Sequence, residues 1–165
     1  MRYILSLTFL MLFLAGCGNN QTEKIDVPAL TKEVETKVVD YLKSLSDKTL
    51  STQSAFYSDV DDLTYFGSNT DESFSGKTQV RKHLLDQIKS ETTFQYGLPG
   101  NFSIRLSRDG YSATTFFDVK FRKTEGSSNT EGISRFAIMW RKESGVWLIV
   151  QLLRQDTPQS ATNIR

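Results

Sequence analysis

Cysteine occurs once in this chain, at position 17, and histidine once, at position 83. A single cysteine excludes an internal disulfide, so an exported chain of this kind must draw its stability from a packed core. One histidine and one cysteine also exclude the usual nitrogen and sulfur metal sites, leaving only carboxylates as metal ligands. Asp59, Asp61 and Asp62 cluster, but they lack the spacing and central glycine of a calcium loop and read as a polar turn. No metal and no other cofactor is expected. Neither sign of charge is in excess, with 20 Lys and Arg against 19 Asp and Glu. Without a basic surplus nothing holds a phosphate backbone, and runs such as Arg81-Lys82-His83 read as solvated faces, so nucleic acid is not an expected partner. The most apolar stretch, Tyr3 to Ala15, has thirteen residues, too few to cross a bilayer.

That stretch follows Arg2 and ends in small residues, the charged start, apolar centre and small-residue exit of a secretory signal. Leu14-Ala15-Gly16-Cys17 resembles the lipobox of bacterial lipoproteins, in which the cysteine becomes the first mature residue and carries diacylglycerol on sulfur and usually an acyl group, such as palmitate, on nitrogen. The resemblance implies a signal peptide over 1–16, lipidation of Cys17, and a membrane partner held through it. Each buried methylene contributes about 0.8 kcal/mol, so two or three chains on one residue make release negligible. The expected address is the cell envelope. Gly18, where aspartate would resemble the inner-membrane retention signal, points to the periplasmic side of the outer membrane in a Gram-negative cell; in a Gram-positive cell the same residues imply the outer face of the plasma membrane. The alternatives are an ordinary cleaved signal with a chance cysteine, or an uncleaved anchor.

Residues 17–29 are polar and aperiodic and end near Pro28, which reads as a flexible tether. The remainder, 30–158, has the length of one domain, and 159–165 reads as a frayed tail. Leu30, Val34, Val38, Tyr41, Leu42 and Leu45 form one helical stripe. A short second helix is predicted with Ser46 as its N-cap, running through Leu50 to Phe56 and Tyr57. Then comes a short strand in Leu63 to Gly67, a polar loop over 68–76, and a third helix from Lys77 to Ser90 with Val80, Leu84, Leu85 and Ile88 inward. His83 falls outside that stripe and is predicted to face solvent. Beyond Ser90 the pattern is strands, placed at Thr92–Leu98, Asn101–Ser107, Tyr111–Lys123, Glu131–Lys142 and Val146–Arg154 and joined by short turns. Short connections imply an antiparallel meander, and the order of elements implies an α+β domain with helices on one face of a curved sheet.

The last two strands are apolar at consecutive positions. Phe136, Ile138 and Trp140 alternate with Ala137 and Met139, and Trp147 and Ile149 oppose Leu148, Val150 and Leu152, so both faces are covered. The helices cover one. A second copy covering the other predicts a homodimer through the sheet; the alternative is a sheet bent enough to cover itself.

The order of elements, with the segments "SDKTLSTQSAFYSDVDDLTYFG", "FSGKTQVRKHLLDQ" and "ISRFAIMWRKESGVWLIVQLL", resembles the nuclear transport factor 2-like (cystatin-like) superfamily and its SnoaL-like group over Leu30 to Pro158. The resemblance implies a cone made from a strongly bent antiparallel sheet and three helices, with a pocket at its wide end. It leaves activity open, because members include isomerases, dehydratases and cyclases as well as non-catalytic binders. After its tryptophan, the closing strand offers Gln151, Leu153 and Gln155 where many relatives carry histidines and a serine. Glutamine hydrogen-bonds a ligand but transfers no proton near neutral pH. Asp118, which interrupts an apolar strand, is the candidate acid, with Tyr65, Tyr96 and Arg135 as donors to a developing oxyanion. The plainer account of Asp118 is an outward carboxylate paired with Lys120, Arg122 or Arg135. Tyr65, Tyr96, Arg135, Trp147 and Gln151 are the expected pocket residues. Three functions follow: a tethered module binding a small apolar or amphipathic molecule, an envelope interaction or dimerisation module, or an acid/base enzyme.

Overall fold

The computed structural model describes residues 25–159; the expected signal peptide, Cys17 and most of the tether and tail lie outside them. Helix α1 spans Val27–Ser46, beginning inside the stretch read as tether. Asp26 caps it, its Oδ1 accepting from the Ala29 amide at 3.0 Å, and Pro28 fits the first turn, where no N–H is needed. The stripe Val34, Val38, Tyr41 and Leu42 is buried as its spacing requires. The helix continues through Ser46, which therefore caps nothing. Lys48 turns the chain at φ 48°, and the short helix α2 is Leu50–Ser54. Helix α3 spans Gly76–Lys89.

Six strands form one bent sheet in the order β2-β1-β6-β5-β4-β3: β1 Thr64–Phe66, β2 Ser73–Ser75, β3 Thr93–Leu106, β4 Ser112–Glu125, β5 Ser128–Glu143 and β6 Val146–Pro158. The α+β expectation holds, with three corrections. The sheet is mixed, because β1 pairs in parallel with β6; the intervening α3 and meander supply the long crossover that a parallel pair needs. The loop over 68–76 contains β2, which folds back antiparallel on β1. The two strands expected around Pro99 are one edge strand, β3, in which Pro99 and Gly100 sit at register shifts; an edge tolerates a residue without an N–H. The β5–β6 turn is two residues, Ser144 at φ 49° and Gly145 at φ 84°, a geometry whose twist matches the flanking strands.

One irregularity positions the site. Between β5 and β6, Met139 pairs with Gln151 but Trp140 pairs with Ile149, so Val150 is an extra residue. Such a bulge shifts the alternation by one. Before it, Trp147 and Ile149 face inward; after it, Leu152 and Arg154 do, and Gln151, Leu153 and Gln155 are exposed. Leu152 thus lies on the face of Trp147, opposite to the uninterrupted reading.

The core lies between the inner face and the helices. Tyr41 of α1 meets Phe136 and Trp140 edge-on at 6.4 and 6.5 Å, and Phe117 stacks on Phe136 at 5.1 Å. The buried Trp140 indole donates to Thr115 Oγ1 at 3.0 Å. Thr115→Val keeps the shape and removes the acceptor, so it is expected to cost about 1–3 kcal/mol. The measurement is a urea titration, with a lower midpoint at unchanged slope; a midpoint equal to the parent's rules out a contribution from that bond.

Candidate functional site

The site lies at the end of the sheet marked by the β4–β5 turn, where β6 finishes and α3 crosses. Past the bulge, Arg154 enters the interior with only 8% of its surface exposed. A buried guanidinium needs a counter-charge and partners for its donors. Asp156, two residues on and on the same face, supplies both: Arg154 Nε donates to Asp156 Oδ1 at 2.9 Å and Nη2 donates to Oδ2. Asp156 is held in turn by the hydroxyls of Ser134, at 2.6 Å, and Ser68, at 3.2 Å. The guanidinium lies over the rings of Phe94, at 4.6 Å, and Tyr96, at 5.7 Å.

Around this pair are polar atoms without partners. Gln53 Oε1, Tyr96 Oη and His83 Nε2 are buried and make no hydrogen bond. Gln53 and Tyr96, with Leu45, Gln87, Phe94 and Arg154, line an alcove of about 50 Å³. A wider cleft of about 680 Å³ shares Gln87, Phe94 and Arg154 with it and adds His83, Phe121 and Asp156. His83 is not solvent-facing as its helical position suggested. The unpredicted β2 carries Phe74 across it, so the imidazole stacks on Phe74 at 4.3 Å and sits 4.9 Å from the Tyr65 ring. Burial lowers its pKa, against the opposing pull of Glu72 and Asp86, so the ring is neutral near pH 7. The phenols of Tyr65 and Tyr96 are pushed up, chiefly by burial, and stay protonated donors.

Of the residues expected from sequence, the fold gathers Tyr65 and Tyr96 at this site and disperses the others. Trp147 is buried at the opposite end of β6, its indole donating to Glu33 Oε2 at 2.8 Å beside the Lys142–Glu33 ion pair. Gln151 is exposed because the bulge turns it outward. Arg135 and Asp118 pair on the outer face at 2.8 Å, with Asn101 also donating to Asp118 at 3.2 Å. The Arg135 hydrogen bond, then Asn101, lower the Asp118 pKa. A low-pKa outward carboxylate cannot act as an acid inside the cone, so the candidate falls. Arg154, Asp156, Gln53 and His83 were missed. The signal available for the first two was an Arg and an Asp two apart in "LLRQD", which share a face whatever the parity. Among the described residues, no group of three His, Cys, Asp or Glu side chains is placed to hold a metal.

The sequence profile of the SnoaL-like domain matches residues 34–153. The chain belongs to that family. Its fold is similar to a nuclear transport factor 2-like superfamily protein from Salmonella enterica, at 14% identity and TM-score 0.68 over 84% of this chain and 98% of that one. A hexachlorocyclohexane dehydrochlorinase is similar at 12% identity and TM-score 0.65, covering 81% and 91%. So is a Nostoc punctiforme protein of unknown function with a cystatin-like fold, at 14% and 0.62, covering 79% and 93%. At such identities the likeness concerns the fold alone. No curated protein matches this SnoaL-like chain.

The lowered His83 pKa has a consequence for stability. Between the unfolded value of 6.5 and the lower folded value, the unfolded chain binds a proton that the folded one does not, so stability is full above pH 6.5 and declines as pH falls through that window. His83→Phe, which keeps the stacking, is expected to flatten this slope in urea titrations at pH 7.5 and 5.5. An unchanged slope would assign the acid sensitivity to carboxylates instead.

Proposed function

We propose that this SnoaL-like domain is a membrane-tethered binding module that holds a small, uncharged, hydroxyl-bearing amphipathic molecule at the Arg154 end of its cone. The observation that carries this reading is that Gln53 and Tyr96, which line one alcove, each hold a buried oxygen without a hydrogen-bond partner. Each buried polar atom left without a hydrogen bond costs about 1–3 kcal/mol. A hydroxyl that donates to Gln53 and accepts from the Tyr96 phenol satisfies both. Phe94 and Phe121 in the adjoining cleft offer ring surface to an apolar body. A charged group is disfavoured, because Arg154 is already neutralised by Asp156. Acylation of Cys17 supplies the tether and places the module in the cell envelope.

The test uses 2-naphthol, whose flat body and single hydroxyl fit these demands, with 2-naphthalenesulfonate as the charged comparison. By fluorescence titration, 2-naphthol binds and the sulfonate binds more weakly, and Tyr96→Phe weakens 2-naphthol by roughly tenfold or less, the worth of one hydrogen bond. Preference for the sulfonate, or indifference to Tyr96→Phe, overturns the assignment.

A second reading, acid/base chemistry, is favoured by one observation: His83 presents a neutral, unpartnered Nε2 beside the same cleft. The partner reading is a homodimer through the outer sheet face. There, Phe116, Ala137, Leu153 and Phe66 lie in register across β4, β5, β6 and β1, flanked by Met139 and by charges of both signs. A neutral, apolar-centred face of that kind is complementary to itself. Sedimentation equilibrium is expected to give a dimer for the parent and a monomer for Phe116→Asp with Leu153→Asp; a monomeric parent excludes it.

A further inference from the structure

The end of the domain opposite the ligand cleft is built from three pieces: the start of α1, the β3–β4 turn and the β5–β6 turn. They enclose a second cleft of about 680 Å³, bordered by Ile25, Leu30, Gly110, Tyr111, Lys142 and Gly145. Each piece carries an apolar side chain on the surface: Val27 is 54% exposed, Tyr111 64% and Val146 44%. The Tyr111 turn is not a loose loop. Asp109 Oδ1 accepts from the Tyr111 amide at 3.1 Å, and Tyr111 O accepts from the Lys142 amide at 2.8 Å. Gly110, at φ 71°, sits where a Cβ would come within 2.9 Å of Leu30 Cδ1. Tyr111 is therefore presented outward on a fixed support, a polar-tipped ring of the kind that favours a membrane–water boundary.

We infer that this end rests on the lipid surface into which the acyl chains of Cys17 insert, with Tyr111, Val27 and Val146 against the headgroups and the ligand cleft turned away from that membrane. The inference depends on the lipid-anchor reading. Eight peptide links separate Cys17 from Ile25, so the connection reaches at most about 28 Å however it is arranged. Helix α1 alone, at 20 residues, is about 30 Å long. It runs from Leu30, beside Gly110, to Leu45, which lines the alcove. The ligand cleft lies beyond its far end, with Asp156 and Pro158 at the finish of β6. A connection no longer than α1 would have to be stretched to its limit along the domain to set that cleft on the same bilayer, whereas the α1 start meets the bilayer without any such extension. The molecule bound there is then exchanged with the aqueous compartment, or with a structure facing the anchoring membrane, and not drawn from the leaflet that holds the protein.

The test uses the full acylated protein in vesicles of phosphatidylethanolamine and phosphatidylglycerol, with an environment-sensitive fluorophore on a cysteine introduced by Tyr111→Cys, Val146→Cys or Asp86→Cys; Cys17 is already acylated and does not react. Lipids bearing a quencher at headgroup depth are expected to remove most of the emission from positions 111 and 146 and leave position 86, at the ligand cleft, unchanged. Equal quenching at all three, or strongest quenching at 86, overturns the orientation. Mass spectrometry of the Cys17 peptide separates the two readings: an unmodified Cys17 removes the anchor and this orientation with it, whereas an acylated Cys17 with unquenched or uniformly quenched probes removes the orientation alone.

Discussion

One extra residue in the last strand decides what the inside of this domain is made of. Without Val150 as a bulge, β6 would keep Trp147's face through Gln151, Leu153 and Gln155, and the open end of the cone would hold amides and a leucine. With it, the same face continues through Leu152, Arg154 and Asp156. The bulge is tolerable because the apolar side chains around it are buried: Val150 is almost fully buried, and Ile149 and Leu152 are completely so, while Gln151 turns out to solvent. The unpaired backbone it creates is offset by side-chain burial, about 1.5–3 kcal/mol for each large aliphatic residue. The compensation is local and the consequence lies at the far end of the strand.

The two ends of the interior then differ in how their polar groups are treated. Near α1's start, Trp147, Glu33 and Lys142 satisfy one another, and the Glu33 carboxylate is held charged mainly by Lys142. At the other end, Arg154 and Asp156 are satisfied, but Gln53, Tyr96 and His83 each keep one atom unmet. Native interiors leave few such atoms without a reason. Three of them lie around one alcove and cleft, beside a charge pair already neutralised, and it is on these that the proposed binding of a neutral polar group rests.

Much of this architecture was legible. The α1 stripe, the α3 stripe and the turn residues between the long strands all act through local periodicity and backbone preference, which the sequence displays directly. The alternation of β5 also read correctly, since Phe136, Ile138 and Trp140 are fully buried on one face; Met139, on the face expected to be covered as well, is 43% exposed. What escaped depends on non-local pairing. A bulge exists only relative to a partner strand, so the parity of Gln151 could not be read from β6 alone. The three-residue β2 is too short to show alternation, and without it nothing placed Phe74 over His83. Asp118, by contrast, follows the plainer of its two sequence readings: Phe117 and Val119 point inward and Phe116 outward, which leaves Asp118 on the side where Arg135 lies one strand away. The family profile fixes the fold and not these choices, each of which turns on a single side chain.

The proposed anchor and the proposed dimer through the sheet face constrain each other. Two copies stacked through their outer faces can be related by a two-fold axis lying along the strands or across them. With the Tyr111 end on the lipid as proposed, an axis across the strands points the two α1 starts in opposite directions, so that only one of the two copies rests that end on the bilayer. An axis along the strands places both α1 starts, both Tyr111 turns and both tethers on one side. Both ligand clefts then open on the other. In such a dimer the apolar row from Phe116 to Phe66 is shielded by the partner, the Tyr111 ends meet the lipid together, and doubling the acyl chains strengthens attachment without any new contact between protein and membrane.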